Sequence, residues 1–276
     1  MTPGPHEPPK PTEDRFVGSK DLTQWKTPVG RFFARAMEWA SRALGPHAAL
    51  VITLTAGAIL ATALTALSAE VYEAVVETDG VAVLDQPLLD AAETVRSPEA
   101  NTAVTAFTNL GGSVGMTVLA ALALLVLTLR RRSWTPLILM VAAAAGSLLM
   151  TIAGKELIGR TRPPLSSAVA PFEYSPSFPS GHSLNSIVIA GIVAYLLVLK
   201  QQSKRTRTLT IAGAALFAVA MGLSRVFLGH HWFTDVLVAW TLGTAWLATV
   251  ITIHRLFLTV SYRRAGSRRR AQAGPP

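Results

Sequence analysis

The sequence predicts an all-α fold, a polytopic bundle of six membrane-spanning helices with both termini in the cytoplasm. Three observations carry that prediction. Half of the 276 residues are hydrophobic and only 15% are charged, with a mean hydropathy of +0.40, a balance foreign to soluble domains. Apolar stretches recur, each close to the roughly 20 residues that a helix needs to cross a hydrocarbon core. Basic residues gather in alternate connections, as they do when Lys and Arg near span ends are retained in the cytoplasm.

The six stretches cover 48–68, 110–129, 137–158, 184–199, 209–228 and 236–256. Six of them in so short a chain leave too little polar sequence to cover a soluble core. They divide the chain into a cytoplasmic tail over 1–46, a membrane domain over 47–258 and a basic cytoplasmic tail over 259–276. The first tail is polar, holds Pro3, Pro5, Pro8, Pro9 and Pro11, and lacks the apolar core of a cleavable signal peptide. It is expected to be disordered as far as its last segment. There Arg31, Arg35, Glu38 and Arg42 share one helical face, and Phe33, Met37, Ala40 and Leu44 another, which is the pattern of a helix lying in the membrane interface.

The connections alternate in charge. Arg130, Arg131 and Arg132 join the second and third spans, and Lys200, Lys204, Arg205 and Arg207 the fourth and fifth, while the C-terminus carries Arg263, Arg264, Arg268, Arg269 and Arg270. Between the first and second spans the only basic residue is Arg96, among acids from Glu70 to Glu99. In that acidic segment Leu84, Leu88, Ala91 and Val95 form a candidate membrane-facing stripe. The formal charge of +9 then follows from topology and from anionic lipid on the inner leaflet, with no nucleic-acid partner required. The absence of Cys excludes disulfides, thiolate metal sites and cysteine nucleophiles.

Two basic groups break the pattern: Lys155, Arg160 and Arg162 after the third span, and Arg225 at the end of the fifth. Charges at such depth usually mark a site for an ion or a charged substrate. Three segments ending on this same side carry the candidate chemistry. The first runs from Lys155, across six residues, to Arg162-Pro163; the second is Pro179-Ser180-Gly181-His182; the third runs from Ser224-Arg225 through His231 to Asp235.

In order and spacing these three segments resemble the signature of the type-2 phosphatidic acid phosphatase superfamily, to which vanadium haloperoxidases and bacterial acid phosphatases also belong. Further likeness lies in Thr108-Asn109-Leu110-Gly111-Gly112 and in Ser177-Phe178. The departures are Ser183, where the family often has a small apolar residue, Phe233, where Pro is frequent, and a second histidine, His230, to which we assign a structural hydrogen bond. The resemblance implies a membrane lipid phosphatase working through a phosphohistidine without a metal or other cofactor.

Phosphoryl transfer needs an aligned nucleophile, a proton for the leaving group and positive charge around the equatorial oxygens. Lys155, Arg162 and Arg225 supply that charge, the arginines through forked hydrogen bonds. The Ser180 hydroxyl and the Gly181 N–H add donors at a helix start, where unpaired amides favour an anion. His231 and Asp235, four residues apart, share a helical face, so the carboxylate can hold one imidazole nitrogen while the other attacks phosphorus. His182 is placed by the resemblance as the general acid and base. His182, His231 and Asp235 could nominally form a facial triad for a metal, but three cations in the same pocket repel one.

The expected substrate is a lipid phosphate presented from membrane lipids at the headgroup level: a polyprenyl pyrophosphate, phosphatidylglycerol phosphate or phosphatidic acid. The alternatives are an outer-leaflet lipid phosphotransferase and a transporter of a phosphorylated substrate. The expected location is the inner (plasma) membrane, multi-pass, with the site among spans three to six facing the extracytoplasmic side. Oligomeric state is not encoded in any pattern visible here.

Overall fold

The computed structural model describes residues 14–28, 30–39, 59, 63 and 81–272, with side chains as far as residue 263. Seven helices carry the core of the fold: α1 Asp85–Thr94, α2 Pro98–Thr108, α3 Ser113–Arg131, α4 Thr135–Ile158, α5 Gly181–Val198, α6 Lys204–Phe227 and α7 Phe233–Gln272. Among the described residues, α3, α4, α5, α6 and Phe233–Arg263 of α7 are long and apolar enough to cross a membrane. The expected span over 48–68 falls almost wholly outside the described residues.

Local chemistry sets the ends of these helices. Ser97 caps α2 by accepting from the Ala100 N–H at 3.1 Å, and Pro98 takes the first helical position, where its missing N–H is harmless. Gly159, at φ +60, ends α4 by donating its N–H to the Lys155 carbonyl at 3.1 Å, a left-handed terminus that suits glycine. The second span starts at Ser113 instead of 110, because Asn109–Gly111 is a 3-10 turn and Gly112 is extended. Conversely, α6 and α7 run past their apolar stretches through Lys204, Arg205 and Arg207, and as far as Gln272. Apolarity records the thickness of the hydrocarbon layer, whereas a helix continues wherever its backbone bonds can.

The third span in sequence order here, α5, lies at the centre, packed against α4, α6 and α7. Its Leu184, Val188, Ile192 and Leu196, one helical turn apart, are wholly buried. The outer helix α3 is the reverse: Val114, Val118, Leu122, Leu125, Val126 and Leu129 are all exposed, a contiguous apolar face that hydrocarbon, and not water, can cover. Close approach of α4 and α7 depends on Gly146, where an added Cβ would lie 2.1 Å from Trp246. The Trp246 indole N–H donates to the Ala143 carbonyl at 3.1 Å. Small residues opposite large ones are the usual way in which membrane helices pack.

Residues 14–28 depart from the expected disordered tail. Phe16–Val17 (β1) and Lys20–Asp21 (β2) pair as a small antiparallel hairpin on one end of the bundle. There Arg131 donates to Asp14 at 3.1 Å, Arg255 donates to the Leu22 carbonyl at 3.1 Å, and the Trp25 indole donates to Thr259 at 3.1 Å. Residues 30–39 are helical, but Ala34 is the buried position, while Phe32, Phe33 and Trp39 are exposed; positions 40–44 of the expected amphipathic helix lie outside the described residues. The basic connections thus meet at one end of the bundle, and the three motif segments at the other.

Candidate active site

The motif residues come from four helices and two connections. Lys155 stands in the last turn of α4, where its ammonium donates to the Ser175 hydroxyl at 3.1 Å and to the Pro176 carbonyl. Gly159 then turns the chain into a long connection that carries Arg162 and returns to Ser180. Gly181 begins α5 close to α4, for an added Cβ would lie 3.3 Å from the Thr151 methyl. Ser180 is fully buried and caps α5, accepting from the Ser183 hydroxyl at 2.8 Å and, less closely, from the Ser183 N–H at 3.4 Å. His182 occupies the first turn of α5, and a Cβ built on Gly112 would lie 3.5 Å from its Nε2. The Thr108–Gly112 segment therefore forms a wall beside this histidine.

His231 does not sit on a helix. It precedes α7 by two residues, and Asp235, in the first turn, reaches back to accept from the Trp232 N–H at 3.0 Å, as the acidic member of a capping box does. That bond brings the carboxylate beneath the imidazole. His231 Nδ1 lies 3.5 Å from Asp235 Oδ2, longer than a good hydrogen bond. Ser177 bridges the gap: its hydroxyl donates to Asp235 Oδ2 and stands 3.4 Å from His231 Nδ1. On the opposite edge of the ring, Arg162 Nη1 lies 3.2 Å from Nε2. A guanidinium only donates, so Nε2 is the acceptor and Nδ1 carries the proton.

Arg225 ends α6 and is 2% exposed. Its Nη1 donates to the Thr108 hydroxyl at 3.2 Å, its Nη2 pairs with Glu173, and its Nε–H is buried without a partner. Glu173 also accepts from Arg162, at 2.8 Å, so one carboxylate spans the two arginines expected to hold phosphate. Burial opposes the ionisation of Glu173, yet the Arg225 and Arg162 guanidiniums hold its carboxyl down at about 2. Burial pushes His231 down to about 4; the adjacent Asp235 resists this, and Arg162 and Arg225 add to it. The imidazole is therefore neutral at ordinary pH. His230 Nε2 lies 2.7 Å from the Val169 carbonyl, and its Nδ1 lies 4.0 Å from Glu173 Oε1.

Lys155, Arg162, Arg225, His182 and His231 all share one electrostatic neighbourhood with Glu173, at the same end of α4 to α7. Three participants were not identified from sequence. Glu173 lies in an irregular connection with no spacing to single it out. Asp85 was one acid among many in the segment before α1. Arg160 was noticed as a cation out of place, but nothing in the spacing showed that it would pair with Asp235. Among the described residues no three His, Cys, Asp or Glu side chains converge as a metal-binding group, and both oxygens of Asp235 are taken by donors.

A family model described as the PAP2 superfamily matches residues 134–258, the region holding all three motif segments. Phosphatidylglycerophosphatase B of Bacillus subtilis (strain 168) is 35% identical over 175 residues, spanning 63% of this chain and 84% of that protein. A crystal structure of a transmembrane PAP2-type phosphatidylglycerolphosphate phosphatase from Bacillus subtilis superimposes with a TM-score of 0.61 at 30% identity, covering 68% of this chain and 93% of that one. With these relatives the chain belongs to the PAP2 superfamily as an integral membrane lipid phosphatase, a phosphoric monoester hydrolase.

Proposed function

We propose that this phosphatase hydrolyses the terminal phosphate monoester of phosphatidylglycerol phosphate at the extracytoplasmic face of the inner membrane, through a phosphohistidine on His231 and without a metal. The observation that carries the mechanism is the split environment of His231, with Arg162 at Nε2 and with Ser177 and Asp235 at Nδ1. The Nε2 lone pair attacks phosphorus as the bond from phosphorus to the bridging oxygen breaks. His182 gives its proton to the departing alkoxide, releasing phosphatidylglycerol. In the second step neutral His182 takes a proton from water, the hydroxide attacks phosphorus, and the P–N bond breaks to yield orthophosphate.

Lys155, Arg162 and Arg225 bear on the equatorial oxygens, with the Gly181 N–H and Ser180 hydroxyl at the start of α5. The substrate choice rests on the Bacillus subtilis matches in sequence and in structure, each named for phosphatidylglycerophosphate. The extracytoplasmic assignment rests on the basic connections, which gather at the end away from the site.

The test is orthophosphate release in detergent with EDTA from phosphatidylglycerol phosphate, phosphatidic acid and a polyprenyl pyrophosphate, comparing wild type with His231→Asn. Highest kcat/KM on phosphatidylglycerol phosphate, insensitivity to chelator and loss of release in the variant are expected. Preference for the pyrophosphate would transfer the assignment to the polyprenyl carrier. Phosphate moved onto a second lipid would make the enzyme a phosphotransferase.

A further inference from the structure

A second buried polar assembly ends on Asp235 and begins outside every motif segment. Asp85 stands at the start of α1 and is buried, with Leu89 one turn on anchoring the helix to the bundle. Its Oδ1 accepts from the Thr234 N–H at 2.8 Å. Its Oδ2 accepts from the Thr234 hydroxyl at 2.6 Å and from Arg160 Nη2 at 2.8 Å. The other arm of Arg160, Nη1, donates to Thr234 Oγ1 at 2.8 Å and to Asp235 Oδ1 at 2.6 Å. One guanidinium therefore bridges two buried carboxylates, one on α1 and one on α7.

The arrangement does more than a surface ion pair can. Asp235 is wholly buried, and its Oδ2 is occupied by Ser177 and the Trp232 N–H. Arg160 takes Oδ1 and so fixes the rotation of the carboxylate, while the fork geometry of a guanidinium lets Asp85 fix the rotation of Arg160 in turn. A lysine would supply the charge without the fork. Thr234, between the two acids, holds the first turn of α7 in register with α1.

We propose that Asp85 and Arg160 are positioning residues for the phosphoryl transfer, acting through Thr234 and Asp235 to set the orientation and basicity of His231, and that α1 is thereby part of the active site. This rests on the reading of His231 as nucleophile and Asp235 as its orienting group. Besides Asp235 from α7, His231 is faced by Arg162 and Glu173 from the connection between α4 and α5, by His182 from α5, by Arg225 from α6 and by its neighbour His230; Lys155 ends α4 nearby. All of these are untouched in the variants below.

The experiment measures kcat, KM and the acid limb of kcat/KM for the purified full chain on phosphatidylglycerol phosphate in mixed micelles. Arg160→Gln removes a cation from Asp235, so protonated His231 is favoured and the limb moves up, by on the order of half a pH unit. Asp85→Asn removes an anion behind that cation, so the limb moves down. Both lose roughly tenfold in kcat through misorientation, with KM within about twofold of wild type. Arg160→Lys returns the limb to its wild-type position and leaves kcat low.

A group that only anchored α1 would lower kcat or thermal stability without moving the limb, and an unmoved limb in both variants overturns the proposal. So does an unchanged kcat. Should Arg160→Gln fail to fold, the nearly isosteric Asp85→Asn decides alone: a downward shift supports the proposal and a static limb overturns it. His231→Asn separates the two levels. If it keeps the wild-type rate, the underlying mechanism falls; if it is inactive while the limb stays fixed in the other variants, only the positioning role falls.

Discussion

The two nitrogens of His231 meet opposite surroundings, a cation at Nε2 and a carboxylate with its bridging hydroxyl at Nδ1, and the proposed chemistry depends on that asymmetry. Protonation would place a hydrogen on Nε2 and remove the lone pair of the proposed nucleophile. Because burial holds the imidazole at about 4, below its usual range, the neutral form persists as pH falls to that value. We expect kcat/KM to be independent of His231 titration from pH 5 to 7 and to decline as the pH drops through about 4; a pH profile on a soluble monoester checks this, and a decline centred near 6.5 contradicts it. The same residue permits a trapping experiment. With p-nitrophenyl phosphate the leaving group needs little protonation, so His182→Ala should still release one equivalent of nitrophenol and then stall as phosphohistidine, seen as a burst and as acid-labile phosphate on the protein. His231→Asn should show neither.

At the scale of elements, the site depends on how helices begin and how closely they approach. Ser180 serves the start of α5 as its cap, and its fully buried side chain accepts from Ser183. Ser180→Ala should therefore cost about 1 kcal/mol of stability, read as a lower melting temperature in detergent, and should loosen the His182 turn. Gly146 controls a wider separation. Since an added Cβ would lie 2.1 Å from the Trp246 ring, Gly146→Leu should wedge α7 away from α4 at a cost of about 1–3 kcal/mol, measured as faster thermal inactivation. Gly146→Ala should fall between that variant and wild type. The start of α7 shows how an element can assemble the proposed catalytic pair: Asp235 bonds the Trp232 N–H, and the bend this stabilises puts His231 over a carboxylate on the following helix.

For the molecule as a whole, the division between ends is the governing feature. Basic connections and the residues 14–28 occupy one end, the candidate site the other, and a lipid-compatible apolar surface lies between. The chain has no cysteine, so a single introduced one reports sidedness cleanly. Tyr174, 82% exposed in the connection before α5, should as Tyr174→Cys react with an impermeant maleimide added outside intact cells, whereas Ser203→Cys at the opposite end should react only after permeabilisation. The reverse pattern would place the site in the cytoplasm.

What the amino-acid sequence determined by itself was the membrane class, the ends of the chain where charge collects, and the three motif segments with Lys155, Arg162, His182, Arg225, His231 and Asp235. These are legible because lipid thickness imposes a length on apolar stretches and because phosphate chemistry needs those residue types at short spacing. Tertiary structure alone decided what they touch. Glu173 between Arg162 and Arg225, Ser177 between His231 and Asp235, and Asp85 joined to Asp235 through Arg160 are contacts between distant segments, and no periodicity or spacing encodes which buried charge a folded chain will bring against another. Even the pairing of His231 with Asp235, which four-residue spacing suggests, arises by a different route, since the histidine lies before the helix and a capping bond brings the carboxylate to it.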